Sequence, residues 1–155
     1  MQKADHRING FSAAESARTI FAGKGGTLMS KPNLLNYLGH YKEAKHFKAG
    51  EVVFQRGQPG NVLYIVASGT VEIRIGETVM EAVGAGGIIG EMSLIDGAPR
   101  SATVVARTIC DLVPIDERRF LFLVSQSPMF ALDVMRVMAG RLRATNPAAK
   151  KRSLS

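Results

Sequence analysis

Glu91 and Arg100 frame the part of this chain where side-chain chemistry is most concentrated: Gly90-Glu91-Met92-Ser93-Leu94-Ile95-Asp96-Gly97-Ala98-Pro99-Arg100-Ser101-Ala102-Thr103. Glycines at 84, 86, 87 and 90 lead into it. Without a Cβ, Gly86, Gly87 and Gly90 let backbone N–H groups come close to a ligand. A helical turn over residues 91–94 would direct its free N–H groups at an anion. Arg100 supplies a planar cationic fork suited to phosphate oxygens. Ser101 adds a hydroxyl and another N–H, and Glu91 is an acceptor for a sugar hydroxyl. A nest of donors beside one carboxylate is chemistry for a sugar phosphate.

Strands and helices must hold these groups in place. Val52, Val53 and Phe54 are strand-forming residues, and Gly57-Gln58-Pro59-Gly60 is a turn cluster. Residues 63–67 read as a buried strand. Val71, Ile73 and Ile75 alternate with Glu72 and Arg74, the period of a half-buried strand, and Gly76-Glu77 turns the chain back over 78–83. Residues 103–106 and 110–115 supply the last strands. Many short strands separated by glycine turns predict a roll or barrel. A helix is expected over 33–41, with Leu34, Leu35 and Leu38 on one face. After Pro114 the period becomes helical. Asp116 is a natural N-cap, with Phe120, Leu123 and Val124 inward. Ser127-Pro128 opens another helix. Its expected apolar face holds Phe130, Ala131, Val134, Met135, Val137, Met138 and Leu142, with Asp133, Arg136, Gly140 and Arg143 on the polar side. Asn146-Pro147 ends it.

The 155 residues suffice for one domain with its own core, and 46% hydrophobic with 21% charged is ordinary globular composition. The single cysteine, Cys110, excludes an intrachain disulfide framework and reads as a core strand residue. His6, His40 and His46 are scattered, which argues against a metal site. No nucleophile elbow and no pair of carboxylates across a cleft is present, so no enzyme is read here. No apolar run reaches the roughly 18–20 residues of a membrane helix, and the N-terminus lacks a signal-peptide pattern. Gly23-Lys24-Gly25-Gly26-Thr27 fails as a phosphate loop, because Gly25 stands where Ser or Thr is required. Most of the net charge of +7 falls at one end: 14 basic against 13 acidic residues run through Asp133, and six basic with no acidic residues follow. Such an end is a solvated helix face with a soluble tail, or a contact for an acidic partner.

Gly90-Glu91-Met92-Ser93-Leu94 and Arg100-Ser101-Ala102-Thr103-Val104 resemble, without a gap, the phosphate-binding cassette of the cyclic nucleotide-binding domain family. That family includes the catabolite activator protein, protein kinase A regulatory subunits and nucleotide-gated channels. Ala49-Gly50-Glu51-Val52-Val53-Phe54, Gly57-Gln58-Pro59-Gly60-Asn61, Leu63-Tyr64-Ile65-Val66 and Ser68-Gly69 resemble its first strands and turns. The resemblance implies an α+β fold: an eight-stranded antiparallel β-roll, or jelly roll, with a short cassette helix and flanking N- and C-terminal helices. It divides the chain into a weakly structured extension over 1–30, the domain over 31–146 (roll about 43–115, helices about 116–146) and a basic tail over 147–155.

The ligand-binding residues it implies are Gly90, Glu91, Met92, Ser93, Arg100, Ser101 and Ala102. Arg100 would take the phosphate, Glu91 the ribose 2′-hydroxyl, and Ser93 would offer its backbone N–H. Ser101 leans towards cAMP, with cGMP as the other ligand. Met92 and Val83 are candidates to pack on the purine, and Leu142 or Arg141 to cap it. Leu94 and Ile95 are candidates for the apolar surface that ligand binding presents to the helices. The expected partners are a cyclic nucleotide and a separate protein acting in the cytoplasm, with an oligomer allowed. Sequence-specific DNA binding is not expected, since no helix-turn-helix fits before Ser155. Two other readings stay open: a nucleotide-independent interaction module of the same fold, or a truncated relative of cAMP-dependent transcription regulators.

Overall fold

β-branched and aromatic runs broken by glycine turns become eight strands in the computed structural model, which describes residues 31–145 other than Lys42. They are β1 (Lys45–Phe47), β2 (Val52–Phe54), β3 (Val62–Ser68), β4 (Val71–Ile75), β5 (Thr78–Val83), β6 (Ile88–Ile89), β7 (Thr103–Ala106) and β8 (Cys110–Asp116). All pair antiparallel in two four-stranded sheets, ordered β1-β8-β3-β6 and β2-β7-β4-β5. The fold is the antiparallel jelly roll that the resemblance implied. The expected extension over 1–30 and the tail over 147–155 lie outside the described residues.

β3 reads as a continuous apolar run because both of its faces are covered. Tyr64 and Val66 point between the sheets, where Phe54, Val71, Val83, Ile89, Val104 and Leu112 meet them. Cys110 is buried in the same layer. Leu63 and Ile65 point to the outer face and join Ile88, Val113 and Ile115 beneath the helices. Leu34, Leu38, Leu123, Phe130 and Val134 close that second layer.

Among the described residues, three α-helices follow in chain order: α1 (Glu91–Asp96), α2 (Glu117–Gln126) and α3 (Pro128–Thr145). Asp116 caps α2 through a 2.9 Å bond from the Arg119 N–H, as its position predicts. Pro128 is the first residue of α3, and the axis turns by 118° between α2 and α3. The helix expected over 33–41 is a single 3₁₀ turn, Leu34–Tyr37. The Asn33 side chain accepts from the Leu35 N–H at its start, and Gly39 at φ 64 prevents its extension. The apolar face expected on α3 is narrower than read. Phe130 and Val134 are buried and Val137 and Met138 pack on the core, whereas Met135 and Leu142 are 57% and 67% exposed. A helix lying on one sheet buries only one stripe. Among the described residues, no single helix is long and apolar enough to cross a membrane.

Candidate functional site

The backbone around Arg100 is clamped before its side chain acts. Its N–H donates 2.8 Å to Gln58 O, and its carbonyl accepts at 2.8 Å from the Gly57 N–H. The side chain is only 6% exposed. Its Cζ stacks 4.0 Å from the Phe54 ring centroid, a cation–π contact. Nη1 donates 3.1 Å to Gly90 O and Nη2 2.8 Å to Val62 O. Glycine at 60 and 90 makes this approach possible. A Cβ at Gly60 would overlap Nε and Cζ, and one at Gly90 would lie 2.6 Å from Nη1. Among the described residues, no carboxylate comes within ion-pair range of Arg100. Burial pushes its pKa down, against the pull of Tyr64 and Glu91. An arginine still stays charged, so the site keeps a buried cation with no paired anion.

Gly90, at φ 77, turns the chain into α1. A glycine there has no side chain to cap the helix, and its first N–H groups have no intrahelical partner. Glu91 opens α1 and is 4% exposed. Its Oε1 accepts at 2.9 Å from Arg141 Nη1. Arg141 also donates from Nε to Glu81 Oε1 at 2.9 Å and from Nη2 to Ile88 O at 2.7 Å. Burial works against the Arg141 charge, but the Glu91 and Glu81 carboxylates outweigh it and raise its pKa.

All seven residues expected at the site (Gly90, Glu91, Met92, Ser93, Arg100, Ser101 and Ala102) line one cavity of about 460 Å³, a size suited to a small ligand. Ser93 is buried, while Met92 and Ser101 are exposed, with Ser101 Oγ 3.8 Å from Met92 Sδ. Ile73, Ile75, Met80, Met138 and Leu142 form the apolar remainder of the wall. The cavity lining therefore combines the Arg100 guanidinium, the Glu81–Arg141–Glu91 ion-pair cluster and an apolar wall.

Two expectations are corrected. Val83 is in the core and not on the cavity wall. Gly86 and Gly87 do not approach the cavity. They form a turn that accepts from the Leu34 and Val66 N–H groups and seats the 3₁₀ turn. Leu94 packs against the core and Ile95 is exposed. Sequence reasoning missed Glu81, and it took Arg141 only as a cap for a base. Arg141 is 50 residues from Glu91 and 60 from Glu81. Nothing in the sequence links residues that far apart when no motif joins them.

Residues 44–127 match the family described as the Cyclic nucleotide-binding domain. This chain belongs to the cyclic nucleotide-binding domain family. The cyclic AMP receptor protein of Thermus thermophilus is 33% identical over 108 residues, 66% of this chain and 50% of that protein. A cyclic nucleotide-gated potassium channel of Mesorhizobium japonicum is 39% identical over 88 residues, 57% of this chain and 24% of the channel. Among solved structures, the catabolite activator protein of Thermus thermophilus superimposes with a TM-score of 0.62 at 30% identity, covering 72% of this chain and 55% of that one. The chain thus spans half or less of the length of these two curated relatives.

Proposed function

We propose that the cavity binds a cyclic nucleotide, cAMP in preference to cGMP, and that α3 relays its occupancy to a separate protein. The observation that carries this reading is Arg100: a buried guanidinium without a carboxylate partner, in the lining of a cavity that Glu91 also lines. An unpaired buried charge is costly unless something answers it, and a phosphate does so. In this reading the phosphate takes Arg100, the first N–H groups of α1 and the Ser101 hydroxyl. Glu91 accepts from the ribose 2′-hydroxyl. Gly90 and Ala102 leave room for the sugar phosphate, and Ser93 contributes backbone. The purine lies against Met92 and the apolar wall.

The relay is a population shift. A micromolar ligand has about 8 kcal/mol of binding free energy. Moving α3 from 1:99 to 99:1 needs about 5.5 kcal/mol of that to differ between the two states. The similarity to a cyclic AMP receptor protein supports the choice of nucleotide.

Calorimetric titration with cAMP and cGMP tests this. Arg100→Leu is expected to lose at least about 2–3 kcal/mol of affinity, because the phosphate loses its charged partner. Glu91→Ala should lose less, and that loss should vanish with 2′-deoxy-cAMP. Unchanged cAMP affinity in Arg100→Leu overturns the site. No binding of either nucleotide by the wild type favours the nucleotide-independent interaction module.

A further inference from the structure

Five of the seven methionines lie among the described residues, and three of them line the cavity: Met80, Met92 and Met138. Met138 packs against the core, whereas Met80 and Met92 are each 45% exposed. Met129 and Met135 are exposed to a similar degree, 48% and 57%, but are not part of the cavity wall. Four thioethers are therefore open to a small oxidant in solution, and two of these belong to the ligand cavity. A thioether is a soft, apolar group that adapts to what packs on it. Its sulfoxide is polar and chiral. Conversion within the wall changes what a ligand meets, while conversion at Met129 or Met135 does not.

Met92 differs from Met80 in what it touches. It is the second residue of α1, between the buried Glu91 and Ser93. The Ser101 hydroxyl donates to its Sδ at 3.8 Å. Among the described residues, no side-chain hydrogen bond reaches the Met80 thioether. A thioether is a weak acceptor, so it holds the Ser101 hydroxyl loosely. That hydroxyl turns readily to a stronger acceptor, such as an anionic phosphate oxygen. A sulfoxide oxygen, one bond from Sδ, is also a strong acceptor within reach of the same hydroxyl.

We propose that Met92 is an oxidation site: a hydroperoxide converts its thioether to the sulfoxide, which takes the Ser101 hydroxyl away from a bound phosphate and weakens cyclic nucleotide binding. This rests on the reading of Ser101 as a phosphate donor. In the step, a sulfur lone pair attacks the terminal peroxide oxygen, the S–O bond forms and the O–O bond breaks. The hydroperoxide proton goes to the leaving oxygen, which departs as an alcohol, or as water when the oxidant is hydrogen peroxide. Sulfur is oxidised by two electrons and the peroxide is reduced by two. A bound nucleotide in turn covers Met92 and shields it, so ligand and oxidant compete for one residue. Thiol-dependent reduction of the sulfoxide restores the thioether and reverses the effect.

The full chain is treated with hydrogen peroxide, and two quantities are followed: sulfoxide at each methionine by peptide mass spectrometry, and cAMP affinity by calorimetry. Each protein is compared with itself before and after treatment. Wild type should lose about tenfold in affinity as Met92 is oxidised, the scale of one hydrogen bond to a charged group. Methionine sulfoxide reductases with a thiol should restore it. Met92→Leu should show no further loss on treatment, while Met80→Leu should lose most of what the wild type loses. Ser101→Ala removes the hydroxyl and should also respond far less to peroxide, and it stands in if Met92→Leu does not bind. Saturating cAMP should slow oxidation of Met92 several-fold and leave the rates at Met129 and Met135 unchanged. A wild type that binds cAMP equally well with Met92 fully converted overturns the proposal alone. So does a Met92→Leu variant that loses as much as the wild type, or a Met92 that stays reduced while Met129 and Met135 oxidise. A loss in Ser101→Ala as large as in the wild type overturns the route through that hydroxyl. An untreated wild type that binds neither cAMP nor cGMP overturns the proposed function and this proposal with it.

Discussion

Glu72 and Arg100 are both buried charges in the roll, and their surroundings treat them oppositely. Glu72 accepts from Arg74 Nη2 and from Arg107 Nε, each at 2.6 Å, and these bonds lower its pKa. It is satisfied within the protein and acts as a strut between β4 and the turn after β7. Its depressed folded pKa means that its contribution to stability is present above the ordinary glutamate value of 4.5 and is lost as pH falls through the folded value. Thermal melts at neutral and acidic pH should therefore show a smaller acid-induced loss in Glu72→Gln than in the wild type. Arg100 has carbonyls and a ring but no carboxylate, which leaves its charge available. Gly60 tests how finely it is placed. Gly60→Ala adds a methyl group onto the guanidinium, the movable end of a side chain, so the fold should survive while Arg100 shifts. Cyclic nucleotide affinity should fall by about tenfold, or 1.4 kcal/mol, with a smaller change in melting temperature. Calorimetry and a thermal melt on one sample give both values. The Glu91-to-Arg100 spacing was readable in the sequence because both residues belong to one loop.

At the scale of elements, α3 is the part that joins site and core. The 3₁₀ turn grips it: Tyr37 packs edge-on against Phe130 with ring centroids 5.3 Å apart, and its hydroxyl donates to Asp133. Burial, then the neighbouring Asp133, raises the Tyr37 pKa, so the hydroxyl keeps its proton and the bond at neutral pH. Tyr37→Phe keeps the ring and removes the bond. It should destabilise the protein by about 1.5–3 kcal/mol, the range for a hydrogen bond to a charged group, with denaturant unfolding as the measurement. Nucleotide affinity should change little, because Tyr37 does not line the cavity. The Asp116 cap of α2 and the first-position proline of α3 were legible as local signals. The shortening of the first helix to one turn was not, because it is set by Gly39 and by the bond from Leu34 N–H to Gly86 O across the fold. Met135 and Leu142 were misassigned to the buried face for a related reason. A helical period shows which residues share a face but not how wide a face the neighbouring sheet covers.

For the whole molecule, a ligand that binds only the folded state stabilises it by mass action. At a free concentration of 100 times Kd the gain is about 2.7 kcal/mol, which for a chain of this size is a rise in Tm of roughly 5–10 °C. Thermal melts with cAMP should show this in the wild type, and Arg100→Leu should show little at the same concentration. A wild-type Tm that does not move at millimolar cAMP would contradict the proposed function.

The sequence by itself determined the strands, the turns between them and the Glu91-to-Arg100 loop, because each depends on local rules: backbone freedom at glycine, β-branched runs and capping side chains. It also carried the family, since the cassette is one contiguous motif. Only the tertiary structure decided which distant polar groups pair. Glu72 with Arg107, Tyr37 with Asp133 and Glu91 with Arg141 are 35, 96 and 50 residues apart. Such partners meet only when the two sheets close on each other and α3 lies across the roll. Burial then makes each pairing matter, because a charge removed from water must find its answer within reach.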